Sequence, residues 1–150
     1  MVDKYKRGKS QEIFVNNLKG KLGEEVVKQR LGDLITTVNY EVYDGGDGGI
    51  DLCLARDANI TIQVKARVGL YNQVKWYFKP EEIKLNKVLV CILIKEKVTE
   101  AENEYNLIFA GFLPTELIKL EAEGNYQVEL GINELLYGGG LRDYLTRLSC

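Results

Sequence analysis

The sequence predicts an α/β domain with a mixed sheet, and three observations carry that reading. Phe14, Leu18, Leu22 and Val26 recur at four-residue spacing, the stripe of an amphipathic helix. Runs rich in β-branched and aromatic residues follow between Thr36 and Arg67, broken by turn residues. Val88 to Ile94 (VLVCILI) is then apolar without alternation, the pattern of a strand covered on both faces. At 150 residues and 45% hydrophobic content, the chain can build one core and is too short for two, so a single domain over residues 1–150 is expected.

Ser10 is a helix N-cap candidate, and the helix should cover roughly residues 11 to 31. Gly20 and Gly23 either weaken that helix or admit a close neighbour. Thr36 to Tyr43 reads as a strand ending at Asp44 and the cluster Gly45, Gly46, Gly48, Gly49. Ile50 to Ala55 is a second strand, Arg56 to Asn59 a turn, and Ile60 to Arg67 a third strand. Asn106 to Phe112 follows the buried strand as another, and Pro114 with Thr115 is expected to open a helix reaching about Ala122. Tyr126 to Leu130 is a weak strand, Gly138-Gly139-Gly140 a flexible connection, and a short helix starts near Leu141. The Lys75 to Phe78 stretch (KWYF) suits either base stacking or core packing, and Glu81 and Glu82 read as solvated residues of a helical turn.

Charge is unevenly spread. Residues 1–97 hold 17 Lys and Arg against 13 Asp and Glu, while residues 98–150 hold 3 against 9. A polyanion would therefore meet the first part, and the opening Lys4, Lys6, Arg7 and Lys9 form a basic arm suited to phosphates or to simple solvation. No apolar run approaches the roughly 20 residues of a spanning helix, and no basic-then-apolar leader opens the sequence, so no membrane and a cytoplasmic location are expected.

The chain contains no histidine, which removes Ser-His-Asp and Cys-His nucleophiles and imidazole-bound zinc. Cys53, Cys91 and Cys150 are odd in number and never paired as C-x-x-C, and the first two lie in strand-like apolar runs that suit core packing. Chemistry is left to carboxylates, amides, lysine and a hard metal. The strand period places Thr61, Gln63 and Lys65 on one face and Ile60, Ile62 and Val64 on the other. If this strand pairs as a hairpin with the preceding one, Asp51 lies beside Gln63 and Lys65. A carboxylate in an otherwise apolar strand is costly unless paired or bound to a cation.

Asp51, an eleven-residue gap and Gln63-Val64-Lys65, preceded by Glu24 in KGKLGEEVVKQRL, resemble the PD-(D/E)XK nuclease superfamily. That superfamily includes restriction enzymes, Holliday-junction resolvases and a few homing endonucleases of bacterial group I introns. The resemblance covers residues 20 to 67 and implies a restriction-endonuclease-like mixed sheet flanked by helices. It makes Asp51 the metal-binding aspartate, Lys65 the catalytic lysine and Glu24 the first-helix carboxylate. Ile50 stands where the motif has proline and Gln63 where it has an acid, a variant shared with intron-encoded homing enzymes.

By that resemblance the chain is a Mg²⁺-dependent, homing-type endonuclease of double-stranded DNA. Asp51, Gln63, Glu24 and the Val64 carbonyl are the metal ligands, and Mn²⁺ is expected to substitute. On these grounds a glutamate at position 63 would restore the usual carboxylate and keep activity or shift the preferred Mg²⁺ concentration. Arg67, Asn72, Gln73 and Lys75 join the basic arm as DNA-contact candidates. Restriction-type, junction-resolving and non-catalytic DNA-binding roles stand as alternatives. One site per chain and two strands to cut predict a homodimer or homotetramer, with Leu130, Ile132, Leu135, Leu136, Leu141, Leu145 and Leu148 as candidate subunit contacts.

Overall fold

A computed structural model describes residues 18–37, 51–95, 105–120 and 127–148. Ser10, Phe14, the basic arm (Lys4, Lys6, Arg7, Lys9), the glycine cluster at 45–49 and residues 38–43 of the first expected strand lie outside the described residues.

Residues 18–31 form a helix, α1, which ends where Gly32 takes φ +54°, the left-handed stop that glycine adopts without a Cβ penalty. Its fully buried side is not the expected Leu18–Leu22–Val26 stripe, which is half-buried, but Gly23, Val27 and Leu31 one position on. The reason is close approach. A Cβ on Gly23 would stand 3.1 Å from Ala66 Cβ and 3.3 Å from Val64 Cγ1, so this glycine lets the helix backbone settle on the sheet. Gly20, by contrast, has no neighbour within 4 Å of such a Cβ among the described residues.

The sheet under α1 runs β1 (Ile35–Thr37), β2 (Leu52–Leu54), β3 (Thr61–Val68), β5 (Val88–Ile94), β6 (Leu107–Pro114). All neighbours are antiparallel except β3 and β5, whose parallel pairing requires a crossover. The crossover contains β4 (Lys75–Phe78) and helix α2 (Pro80–Leu85). β5 is buried along its whole length, as its unbroken apolar run predicts.

Two apolar layers enclose the sheet. On one face Ile62, Val64, Val90 and Ile92 pack with Val27 and Leu31 of α1 and with Leu141 and Leu145 of α3 (Leu141–Leu148). On the other, Leu89, Cys91 and Leu93 pack under Trp76 and Phe78 of β4, Ile83 of α2 and Leu130 of β7 (Val128–Gly131). Fully burying each such side chain contributes about 1.5–3 kcal/mol. Trp76 and Phe78 are thus core, whereas the expected weak strand is the partner of β4 in a separate two-stranded ribbon.

Two expectations are corrected. Pro114 closes β6 rather than opening a helix, because Thr115 turns at once into a single 3-10 turn, Thr115–Leu117, held by its hydroxyl on the Asn86 and Lys87 carbonyls. Gly138–Gly140, expected as a connection, forms a 3-10 turn feeding α3, and a Cβ on Gly138 would lie 2.5 Å from Phe109 Cδ1. Of the apolar residues expected at a subunit contact, Leu130, Leu141 and Leu145 belong to the monomer's own core, while Leu136 is exposed beside Tyr137. Among the described residues no helix is long and apolar enough to cross a membrane. Cys53 and Cys91 are buried free thiols, and burial pushes the Cys91 thiol far up, away from reactivity.

Candidate active site

Among the described residues β3 extends past β2. Leu52 opposes Ile62 and Cys53 opposes Thr61, which continues to Asp51, the first described residue on that side, opposite Gln63. The Asp51 carboxylate takes over, its Oδ2 accepting the Val64 backbone N–H at 2.9 Å, while the Asp51 N–H donates to Ile62 O at 3.3 Å. Because a strand residue's N–H and C=O leave from the same edge, the Val64 carbonyl also points to this side. A cleft of about 770 Å³ opens here, lined by Glu24, Asp51, Gln63, Val64, Lys65 and Arg67. Every non-arm residue assigned to catalysis or metal binding from sequence therefore meets in one place.

Lys65 is fixed rather than free. Its Nζ donates to the Tyr77 carbonyl at 2.9 Å and to Glu82 Oε1 at 2.9 Å, and it stands 5.2 Å from the Phe78 ring centroid. Two of the ammonium's three donors are used, leaving one for a ligand. Gln63 is buried, its Nε2 donates to Glu82 Oε2 at 3.1 Å, and among the described residues its Oε1 has no hydrogen-bond partner. The amide orientation follows from chemistry, since an ionised carboxylate only accepts and the NH₂ must face Glu82. Gln63 thus presents a buried, unpartnered oxygen.

Glu82 is the residue that sequence reasoning placed wrongly. Its side chain is only 12% exposed, and besides Lys65 and Gln63 it accepts the Lys79 backbone N–H at 2.8 Å. Proline at the first helical position and glutamate at the third, Lys79-Pro80-Glu81-Glu82, form a capping pattern that was readable and implies an anchored carboxylate. Glu81 is exposed, as expected. Burial holds the Glu24 carboxyl above the usual carboxylate range, an effect partly offset by the neighbouring Lys28 ammonium.

The DNA-contact candidates divide. Arg67 lines the cleft with its guanidinium 4.8 Å from the Tyr77 ring, and Gln73 and Lys75 border a smaller hollow that Arg67 and Tyr77 share with it. Lys75 also pairs with Glu129 at 3.6 Å, an exposed contact of little energetic weight that a phosphate could replace. Asn72 faces a different hollow, beside the end of β7.

The donor set suits a hard cation. Among the described residues no group of three or more His, Cys, Asp or Glu gathers to hold a metal, so any ion here would rely on few carboxylates. Mg²⁺ is commonly held in that way, by one or two carboxylates with waters and a phosphate oxygen. Asp51, Glu24, the Gln63 amide oxygen and the Val64 carbonyl match that requirement in kind. Comparison with known proteins returns no matching family model, no matching curated protein and no matching solved structure.

Proposed function

We propose that this chain is a Mg²⁺-dependent endonuclease that hydrolyses phosphodiester bonds in double-stranded DNA, with a homing-type, site-specific role. The observation that carries the reading is the convergence of Asp51, Gln63 and Lys65 on one cleft with Glu24. The element order supports it: α1 and the β1–β2–β3 meander are followed by a crossover of β4 and α2 that returns to the parallel β5, a mixed sheet compatible with the restriction-endonuclease-like core that the resemblance implies.

When bound, Mg²⁺ would polarise a phosphate oxygen and lower the pKa of a bound water. Asp51, Gln63, Glu24 and the Val64 carbonyl would hold it. Lys65 directs its remaining N–H at the phosphate oxygens, whose charge grows as water oxygen bonds to phosphorus and the bond to the leaving sugar oxygen breaks. The lysine is already immobilised by Tyr77 O and Glu82, so little reorganisation accompanies that step. Arg67 and Lys75 on the rim would meet the backbone beside the scissile phosphate, and Gln73, which lines the same hollow, would contact the same strand.

The test is cleavage of a plasmid library carrying genomic inserts, in Mg²⁺ and in EDTA, by the natural chain and by Asp51→Ala. Discrete double-strand products are expected only from the natural chain with metal. A protein that binds this DNA and never cuts it in Mg²⁺ or Mn²⁺ would be a binding protein built on a nuclease-like frame. Cutting both strands from one site per chain implies a homodimer or homotetramer. Light scattering at micromolar concentration should give a multiple of 17.0 kDa, and a monomer that cuts duplexes efficiently would refute that part.

A further inference from the structure

Glu82 contacts both unusual features of the cleft: the fixed lysine and the glutamine that stands in an acid's place. We infer that Glu82 is the positioning residue of the cleft, and that its carboxylate is the reason position 63 holds an amide. Its Oε1 holds Lys65 Nζ at 2.9 Å, and its Oε2, by accepting Gln63 Nε2 at 3.1 Å, forces the amide oxygen to the opposite side. That oxygen is the one left buried and unpartnered. A glutamate at 63 would instead set two carboxylates within hydrogen-bond distance of each other, where they repel or must share a proton. Gln63 is therefore matched to Glu82, and on this inference glutamate at 63 would not serve on its own.

The matching makes Glu82→Gln informative. Oε1 of the new amide would take over Lys65 Nζ and the Lys79 N–H, which turns its NH₂ toward position 63. Two NH₂ groups cannot face each other, so the Gln63 amide turns over and offers the cleft a donor instead of an acceptor. The exchange Gln63→Glu/Glu82→Gln, in contrast, preserves every hydrogen bond with donor and acceptor reversed between the two positions. It also conserves total charge and leaves a carboxylate oxygen facing the cleft.

The metal-facing part of this inference rests on the nuclease reading; the pairing itself does not. Four proteins decide both: the natural chain, the two single variants and the exchange, each followed by melting in EDTA and by Mn²⁺ calorimetry. Gln63→Glu is expected to lower the melting temperature by at least about 4 °C, and the exchange to return within about 2 °C of the natural chain. Glu82→Gln, an isosteric change, should remain folded and weaken Mn²⁺ binding by about tenfold or more, as loss of an orienting partner does. The exchange should bind Mn²⁺ at least as tightly as the natural chain. Losses that simply add in the exchange overturn the pairing. Unchanged Mn²⁺ affinity in Glu82→Gln overturns the positioning role while leaving the nuclease reading intact. A natural chain that takes up no Mn²⁺ overturns the nuclease reading and the metal-facing role, and the melting data still judge the pair.

Discussion

Gly23→Ala separates the geometry of the cleft from the stability of the fold. The added methyl would sit 3.1 Å from Ala66 Cβ and 3.3 Å from Val64 Cγ1, with Ile92 Cγ1 at 3.8 Å. Carbon atoms prefer about 3.5–4.0 Å, so α1 must rise from β3 by roughly half an ångström. Overpacking of this kind costs about 1–3 kcal/mol, against a gain of about 1 kcal/mol from replacing glycine by alanine in a helix. The net loss is on the order of 1 kcal/mol, a fall of about 2–4 °C in melting temperature for a domain this long. Glu24 is the next residue on the helix and moves with it, while Asp51 is held by its bond to Val64 N and stays. Displacing a catalytic group by up to 1 Å can cost on the order of a hundredfold in rate. Thermal melting and single-turnover cleavage should therefore diverge: a small stability loss, and a rate loss of tenfold or more. Gly20→Ala is the control, because among the described residues beyond its own helix turn no atom lies within 4 Å of its methyl and the melting temperature should rise. If Gly23→Ala melts as high as Gly20→Ala and cuts normally, the close helix-to-sheet contact is refuted.

Lys65→Ala should leave DNA affinity within about threefold by filter binding and reduce single-turnover cleavage by about two to three orders of magnitude, the scale of losing one preorganised transition-state donor; unchanged turnover would make the lysine structural. Glu24→Gln should raise the melting temperature in EDTA at neutral pH, because a carboxyl raised by burial makes the folded state hold its proton more tightly than the unfolded chain does. Stability of the metal-free protein then falls as pH rises from the ordinary carboxylate range through the raised value. The advantage of Glu24→Gln should vanish below about pH 4, and an advantage that persists there would point to packing instead. Gly111→Ala should destabilise by more than about 2 kcal/mol, since φ is +152° and a Cβ would lie 2.5 Å from Leu136 O and 2.8 Å from Leu135 Cβ; a melting temperature near that of the natural chain would argue against the constraint.

Signals that depend only on neighbours in the chain were legible in the sequence. The apolar run of β5, the hairpin of β2 with β3 and the start of α3 at Leu141 all follow from local period and turn chemistry. Asp51, Gln63 and Lys65 were legible as a group because a two-residue period and a short turn leave few ways to arrange them. The buried face of α1 was read one position off, because the residue in closest contact is a glycine, which carries no hydropathy signal. Pro114 was misread because it satisfies the end of an outer strand as well as the start of a helix.

The sequence by itself determined the α/β class, the buried central strand and the grouping of Asp51 with Gln63 and Lys65 across the β2–β3 hairpin. Only the tertiary structure decided what surrounds them. Glu82 of α2 sits 17 residues beyond Lys65, yet the crossover lays it on the same face of the sheet and turns a helix-capping glutamate into the partner of Lys65 and Gln63. The same packing brings Glu24 to the cleft from the opposite face, through a glycine contact that no side-chain pattern announces. Local propensity is set by adjacent residues and can be read along the chain. The environment of a carboxylate is set by whichever elements the core forces together, and that is known only when the core is formed.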